Sequence, residues 1–298
     1  LQIEQISQAS ARQRRGRCGR VREGVCVRLY DELDLEQASE FTDPEIRRSS
    51  LAGVVLRMKA FRLGDVREFP FLDPPSPSAL TEGFRTLEEV GALDSRQGEL
   101  TEIGQSLARL PLDPRLGRML LEARHRKVLG EVLIIVAGLN VMDVRERPPE
   151  KENQADEAHS SFEDPDSDFM SLLNIWHSLR DFRRDNQGWQ RNQLRRFCEK
   201  KFLNVRRILE WDQVVKELGR LMREQYGKRP RALPGERGEW GDVNEIHKAI
   251  LAGMPRQIGV WEKEKRCYRG TANRNFAVFP GSGLFGKKRP EWVLGFDL

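Results

Sequence analysis

An apolar stripe with helical spacing returns several times along this chain. Within residues 51–58, apolar side chains recur at positions 0, +3, +4 and +7, and the same spacing restarts at Leu116 and Phe169. This spacing places apolar groups on one face of an α-helix. Asp-Pro pairs at Asp43 and Asp113 predict helix starts, since aspartate caps a helix and proline fits its first position. The chain is therefore predicted to be mainly α with small β parts.

Residues 45–110 have the order of elements found in a winged helix. A proline-rich turn follows the first helical stripe, because proline interrupts a helix. The next helix has an apolar face from Leu80 to Leu87 and is predicted to stop near Gly91. Residues 92–104 predict a short hairpin and the start of a further helix. Helix, turn, helix and wing together predict a winged-helix unit.

The middle of the chain predicts a helical bundle. Residues 128–142 are apolar nearly all round, which is typical of a buried helix. The acidic segment 143–168 contains two consecutive prolines and few apolar residues, and it is predicted to be a surface loop. Helical stripes resume at Phe169 and continue over about 192–226. Residues 227–242 are rich in glycine and proline and predict a linker.

Two regions predict β-structure. Residues 21–30 are rich in valine and alternate in polarity, a pattern that predicts a strand. Short aromatic segments at 266–270, 275–280 and 291–298 are separated by turn residues. They predict an antiparallel sheet that resembles an unfinished small barrel.

The charge of the chain is unevenly distributed. The net charge is +5 over 298 residues, and residues 1–30 carry seven arginines against two glutamates. Residues 176–207 and 263–289 each carry a net +7, whereas residues 143–168 carry −7. Separate basic blocks favour binding to a polyanion such as RNA. For any single block, a solvated helix face remains the alternative.

The cysteines and the hydropathy exclude several classes of protein. Cys18, Cys26, Cys198 and Cys267 show no C-x-x-C spacing, so neither structural zinc nor a disulfide framework is expected. No apolar run approaches the roughly 20 residues that span a bilayer, and no signal peptide is visible. A reduced, cytoplasmic protein is expected. Because the first residue is Leu1, we expect a fragment of a longer protein.

Residues 156–159 spell D-E-A-H, the letters of an acidic box with which some ATPases hold Mg²⁺ and position water. Such a box follows a buried apolar strand. Here the preceding residues are E-K-E-N-Q-A, and the chain has no G-x-x-x-x-G-K-[ST] phosphate loop. We therefore interpret the tetrad as a chance match in an acidic loop, with His159 as an exposed loop histidine.

The octet Q-R-R-G-R-C-G-R at 13–20 carries more information. Arg14, Arg17 and Arg20 recur every three residues, with Gly16 and Gly19 between them. On a helix this spacing can align guanidinium groups on one side. Planar, permanently charged forks suit the charge that develops on a transferring phosphoryl group. A basic nucleic-acid patch is the alternative that composition alone leaves open.

The octet resembles motif VI of the superfamily 2 DEAH-box RNA helicases, Q-R-x-G-R-x-G-R, at all six fixed positions. Segments further along the chain, such as "LPLDPRLGRMLLEA" and "FPGSGLFGKKRPEWV", agree with this family. The chain is most similar to the bacterial HrpA-type members. The resemblance covers essentially the whole chain.

The resemblance implies four parts in order. Residues 1–35 would be the end of the second RecA-like helicase domain, and 36–111 a winged-helix domain. Residues 112–241 would be the helical ratchet (HA2) bundle, and 242–298 the first part of an OB-fold. The first RecA-like domain, with the phosphate loop and the true acidic box, would lie outside the chain.

The family pattern also implies roles for single residues. Gln13 would orient water or the γ-phosphate of ATP, and Arg17 and Arg20 would be arginine fingers, with Gly16 beside them at the phosphates. Mg²⁺ would be held mainly by the absent domain, and no metal site is expected in this chain. The candidates for RNA contact are Arg274, Ser282, Lys287 and Lys288. Phe279 and Phe285 could stack on bases, but core packing is the favoured prediction for both.

The implied function is an ATP-dependent RNA helicase that translocates 3′ to 5′ on single-stranded RNA or RNA–protein complexes. The fragment alone would be inactive, and a monomer without membrane contact is expected. The alternative is a stand-alone RNA-binding or adapter module without ATPase activity. That alternative explains the basic blocks but not the spacing of the octet. A winged-helix DNA-binding regulator is disfavoured, because Arg85 is outnumbered by acids on the predicted recognition helix.

Overall fold

The chain folds into helical units followed by one small sheet. The computed structural model describes residues 6–42, 44, 46, 50–96, 98–227, 240–271, 274–285 and 289–296. The described helices are α1 (Gln8–Arg15), α2 (Glu32–Gln37), α3 (Ala52–Ala60), α4 (Pro77–Glu89), α5 (Glu102–Ala108), α6 (Pro114–His125), α7 (Leu129–Leu139), α8 (Glu152–Ser160), α9 (Asp168–Asp185), α10 (Arg191–Lys201), α11 (Val205–Tyr226) and α12 (Val243–Gly253). The strands are β1 (Ile258–Glu262), β2 (Cys267–Gly270), β3 (Asn275–Phe276) and β4 (Trp292–Leu294). The prediction of a mainly α chain with small β parts is confirmed.

The first helix is joined to the segment that follows α2. The Gln8 backbone N–H donates to the carbonyl oxygen of Ser39 at 3.0 Å, and Ala11 is buried. The predicted strand at 21–30 is wrong: this segment is irregular and exposed, with Leu29 95% accessible. A strand needs neighbouring strands to satisfy its backbone, and no strand among the described residues pairs with it.

Helices α3, α4 and α5 form a separate core with a short wing. An isolated bridge joins Leu93 to Leu100, as the predicted hairpin requires. Helix α4 ends at Glu89, and Gly91 follows with φ of +71°, so the predicted stop is confirmed. The predicted cap Asp43 lies outside the described residues. Buried side chains of this core include Leu51, Val55, Leu56, Leu87, Leu93 and Leu107.

The bundle is built around α7, as its apolar sequence predicts. Every residue from Leu129 to Ala137 is buried. Trp211 of α11 is fully buried, and its indole N–H donates to the Ile134 carbonyl oxygen at 3.0 Å. The predicted start of α6 is also confirmed, since the Asp113 carboxylate accepts from the Arg115 N–H. The second apolar core therefore lies in this bundle.

The acidic segment 143–168 is not the loop that its composition predicts. A short 3-10 turn over Pro149–Lys151 leads directly into α8. Prolines are tolerated at the start of a helix, where the missing N–H has no intrahelical partner. The two prolines therefore precede the helix instead of interrupting it.

The end of the chain forms the predicted antiparallel sheet, in the order β3-β2-β1-β4. Val260 lies opposite Arg269 on one side and Trp292 on the other. The sheet is open in the described part of the chain, with β3 and β4 at its edges. Residues 228–239 of the predicted linker lie outside the described residues.

The four cysteines are free thiols, and their surroundings differ. Cys18 and Cys26 are exposed, whereas burial raises the pKa of the Cys198 thiol to about 12. Among the described helices, none has both the length and the apolar character to cross a membrane.

Gly104 is expected to be essential to the packing of the wing. A Cβ at this position would overlap the Ala92 carbonyl oxygen and lie 2.8 Å from Leu100 Cδ2. Gly104→Ala should destabilise the chain by about 1–3 kcal/mol, because backbone cannot move aside cheaply. The measurement is the urea dependence of unfolding.

Gly53→Ala is the matched control for this substitution. Gly53 also lies in a helix, but the nearest atom to its added Cβ is Arg57 Nη2 at 3.6 Å. Gly53→Ala should leave the free energy of unfolding unchanged or raise it by up to about 1 kcal/mol, since alanine favours a helix more than glycine does. Equal effects of the two substitutions would contradict the packing of α5 on Ala92.

Candidate functional site

The octet lies at the end of α1. Ser7 caps this helix by accepting from the Ser10 N–H at 3.2 Å. Gln13 stands in the last turn with an exposed side chain. The helix therefore presents the first part of the octet to solvent.

The helix ends before the second and third arginines of the repeat. Gly16 is the C-terminal cap, and the Arg17 N–H donates to the Arg14 carbonyl oxygen at 3.1 Å in a tighter turn. Gly19 then takes φ of +78°, a conformation that favours glycine. The expected alignment of the three arginines on one helix face is wrong, because only Arg14 belongs to the helix.

Arg17 and Arg20 are free to contact a ligand. Both side chains are exposed, and neither has a side-chain partner in the part of the chain that the structure describes. Their guanidinium groups can each donate two parallel hydrogen bonds to a phosphate. The structure does not bring Gln13, Arg17 and Arg20 into one pocket. A small cavity of about 250 Å³ beside α1 is lined instead by Gln8, Arg12, Arg28, Glu32, Leu35 and Glu36.

The octet suits phosphate better than a metal ion. It contains donors but no carboxylate, and Mg²⁺ prefers oxygen ligands. Within the described ranges, no group of three His, Cys, Asp or Glu residues could hold a metal ion. The octet therefore presents guanidinium and amide donors of the kind that bind an anion.

Asp156 of the D-E-A-H tetrad makes a structural ion pair. The Arg147 Nε donates to Asp156 Oδ1 at 2.8 Å, and its Nη2 donates to Oδ2 at 2.9 Å. The hydrogen bonds from Arg147 lower the pKa of the Asp156 carboxyl below its ordinary value. This carboxylate ties α8 to the segment that precedes it, and no described strand leads into the tetrad.

His159 is buried, so its prediction as an exposed loop histidine is wrong. The side chain is 8% accessible, and Nε2 lies 3.0 Å from the Phe202 carbonyl oxygen after α10. Ala155 and His159 are spaced by four residues and share the buried face of α8. That spacing was the sequence signal for the helix, and the acidic composition concealed it.

The two described RNA candidates, Arg274 and Ser282, lie on different turns of the sheet region. Arg274 is exposed between β2 and β3. Ser282 is half-buried in the turn 279–285, where its hydroxyl accepts from the Leu284 N–H at 3.2 Å. Lys287 and Lys288 lie outside the described residues.

Phe279 and Phe285 do not pack in a core. Phe279 is 77% and Phe285 is 50% accessible, so the favoured prediction for both rings was wrong. They flank Ser282 on a turn instead of lying on a strand face. Exposed rings at this place are available for stacking on bases.

A large cavity between the bundle and the sheet was not predicted. Its volume is about 1100 Å³, and Ser282 lies in its wall. At its edge, Arg145 pairs with Asp143 at 2.8 Å. Partial desolvation alone would raise the pKa of Asp143, but hydrogen bonds from Arg145 lower it below the ordinary value. Its lining also includes Leu139, Ser167, Asp168, Phe169, His247, Phe279, Arg289 and Trp292.

The basic block 176–207 is partly neutralised inside the bundle. Arg183 Nη1 lies 3.1 Å from the buried Asp212, and Arg195 pairs with Glu199 at 3.0 Å. No residue of the block lines the large cavity in the described structure. These arginines therefore contribute less to a polyanion surface than their number suggests.

Comparison with known proteins finds two family models and two relatives that are similar to this chain. The protein-family model "Helicase associated domain (HA2), winged-helix" matches residues 85–112. The family model "Helicase associated domain (HA2), ratchet-like" matches residues 113–172. The chain is 45% identical over 304 residues to "ATP-dependent RNA helicase HrpA homolog" from Haemophilus influenzae. It is 43% identical over 302 residues to "ATP-dependent RNA helicase HrpA" from Escherichia coli. Each match covers 100% of this chain and 22% of the relative.

The structure predicts a larger loss of stability at His159 than at Glu157, two residues of the tetrad. His159→Leu should destabilise the chain by about 0.5–1.5 kcal/mol, because the Phe202 carbonyl loses one of its two hydrogen-bond partners and keeps the Glu146 N–H. Glu157→Ala should change stability by no more than about 0.5 kcal/mol, since Glu157 is exposed. Thermal unfolding measures both. A larger loss for Glu157→Ala than for His159→Leu would contradict this account of α8.

Proposed function

We propose that this chain, which is similar over its whole length to HrpA-type RNA helicases, forms part of a DEAH-box enzyme that moves 3′ to 5′ along single-stranded RNA at the expense of ATP. It spans only about a fifth of the length of its HrpA relatives. The observation that carries the proposal is the intact octet, in a chain similar to these helicases from end to end. The enzyme would act in the cytoplasm, as a monomer.

In this proposal the octet contacts the phosphates of ATP from one side. Exposed Arg17 and Arg20 have no described partner that competes for their guanidinium groups. They would stabilise negative charge that develops on the phosphates during hydrolysis. Gln13 would orient the γ-phosphate or the attacking water, with the Gly16 backbone close by. Mg²⁺, when bound, would neutralise phosphate charge, and its ligands would come from another domain.

The winged helix, the bundle and the sheet would contact the sugar-phosphate backbone of the RNA. Such contacts suit movement along RNA of any sequence, because phosphates are the same at each step. The partial sheet would be the first part of an OB-fold. Arg274, Ser282, Lys287 and Lys288 would supply contacts from its turns, with Phe279 and Phe285 available for stacking.

Arg17→Ala tests the ATP role in the full-length protein. RNA-stimulated ATP hydrolysis should fall by about 10³-fold or more, the usual effect of removing an arginine finger. RNA affinity, measured by fluorescence anisotropy, should stay within about threefold, since no RNA contact is assigned to Arg17.

Arg15→Ala is the matched control. Arg15 is an equally exposed arginine two residues earlier, at a variable position of the motif. Its variant should hydrolyse ATP at nearly the wild-type rate. Unchanged hydrolysis by Arg17→Ala, or equal losses in both variants, would remove Arg17 from the finger role. The isolated chain should hydrolyse no ATP, because it lacks a phosphate loop.

Arg274→Ala tests the RNA role of the sheet. Binding of a uridine homopolymer should weaken, and the slope of log K against log salt should fall by about 0.7, the value for one single-strand phosphate contact. Arg266→Ala is the control, because exposed Arg266 lies at the opposite end of β2. Identical salt slopes for wild type and Arg274→Ala would exclude a phosphate contact by Arg274.

A further inference from the structure

The turn 279–285 is attached to the bundle. The Gly283 N–H donates to Asp168 Oδ1 at 2.9 Å, across 115 residues of sequence. Asp168 is the first residue of α9. Inside the turn, the Ser282 N–H donates to the Phe279 carbonyl oxygen at 2.9 Å, and the Phe285 N–H donates to that of Ser282 at 3.0 Å. One carboxylate of the bundle therefore holds a compact turn of the sheet region.

The contact at Gly283 is close enough to require glycine. A Cβ at this position would lie 2.5 Å from the Asp164 carbonyl oxygen, a distance that side-chain carbons do not adopt. Gly283 is buried at this point. The main chain of the turn thus lies directly against the main chain that precedes α9.

The bundle side of this contact is itself fixed by hydrogen bonds. Ser171 Oγ accepts from the Asp164 N–H at 2.8 Å and donates to the Ser167 carbonyl oxygen at 3.3 Å. The Ser167 hydroxyl lies 2.7 Å from Nε2 of His247, on the helix that leads into β1. The start of α9 therefore contacts both the turn 279–285 and α12, the helix that leads into β1.

The charge of Asp168 lies near that of Arg145, a cation that is hydrogen-bonded to Asp143. Burial alone would lower the pKa of Arg145, but its hydrogen bonds to Asp143 and the negative charges of Asp143 and Asp168 raise it. Asp168 therefore keeps part of its negative charge toward a nearby polyanion, because it shares this cation with Asp143. As an acceptor-only group, it is also a poor direct partner for phosphate.

We propose that Asp168 is a positioning residue for RNA binding, which holds the turn 279–285 in place so that Ser282 and its flanking aromatic rings meet RNA already ordered. This inference rests on the proposed RNA function of the chain. A turn that is ordered before binding loses less conformational entropy on binding, so its contacts yield more affinity. Asp168 itself touches Gly283 and not the RNA.

The test compares three variants of the full-length protein, each of which removes one negative charge. Asp168→Ala removes the acceptor for Gly283, whereas Asp168→Asn keeps an acceptor oxygen of the same shape. Glu157→Ala is the charge-matched control on α8. The first readout is hydrogen–deuterium exchange of residues 279–285 without RNA, and the second is the affinity for a fluorescent uridine homopolymer.

Asp168→Ala should speed exchange in the turn and weaken RNA binding by about fivefold, the factor expected for one lost hydrogen bond. Asp168→Asn should restore both readouts to within about twofold of wild type. Glu157→Ala should behave as wild type. If charge alone mattered, all three variants would shift RNA affinity equally, and that result would overturn the inference.

Gly283→Ala provides a second route to the same question, without any change in α9. It should displace the turn from Asp164 and weaken RNA binding as Asp168→Ala does. Wild-type affinity in Gly283→Ala, or unchanged exchange in Asp168→Ala, would overturn the positioning role. If the wild-type protein binds no RNA, the proposed function fails instead, and the exchange data still decide whether Asp168 holds the turn.

Discussion

The contact between Trp211 and α7 organises the largest part of this molecule. The indole ring is fully buried and donates to a carbonyl oxygen of a helix that has no exposed face along most of its length. Gly138 leaves room for the ring, since a Cβ there would lie 3.1 Å from it. The next residue, Asp212, is also buried and gathers Arg183, Trp189 and Lys216. Two adjacent residues therefore join α11 both to the apolar core and to the helices around it.

The arginines of this chain differ in whether an acid of the same chain is paired with them. Several arginines of the bundle are matched by acids of the same chain, as Arg147 is by Asp156 and Arg183 by Asp212. Arg17 of the octet has no such match among the described residues. Exposed, unmatched guanidinium groups cost nothing to keep in water, and they are available to an anionic partner. The pairing of each arginine therefore says more about its availability than the net charge of +5 does.

Local sequence predicted those elements whose signals are local. The helix start at Asp113 depends on a cap and a proline side by side, and the stop at Gly91 depends on one backbone angle. The segment 21–30 failed because a strand depends on partners that its own residues do not specify. Helix α8 was missed because its acidic composition concealed the four-residue spacing of Ala155 and His159, and the partner of His159, the Phe202 carbonyl, is 43 residues away. In the candidate site, the spacing of the arginines identified the octet. The end of the helix at Gly16 was not predicted. The cavity beside Ser282 arises from packing between distant segments, which no local pattern reports.

The D-E-A-H tetrad on α8 has the letters of an ATPase box but not its chemistry. Different constraints should therefore govern how its residues change in evolution. An ATPase box retains adjacent acids, because both act on the nucleotide. On α8 the constraints fall instead on Asp156, which pairs with Arg147, and on His159, which is buried against Phe202. Glu157 lies between them with an exposed side chain. Sequence drift in this helix should therefore remove the second letter of the box first and preserve the first and fourth, a substitution pattern set by packing and not by catalysis.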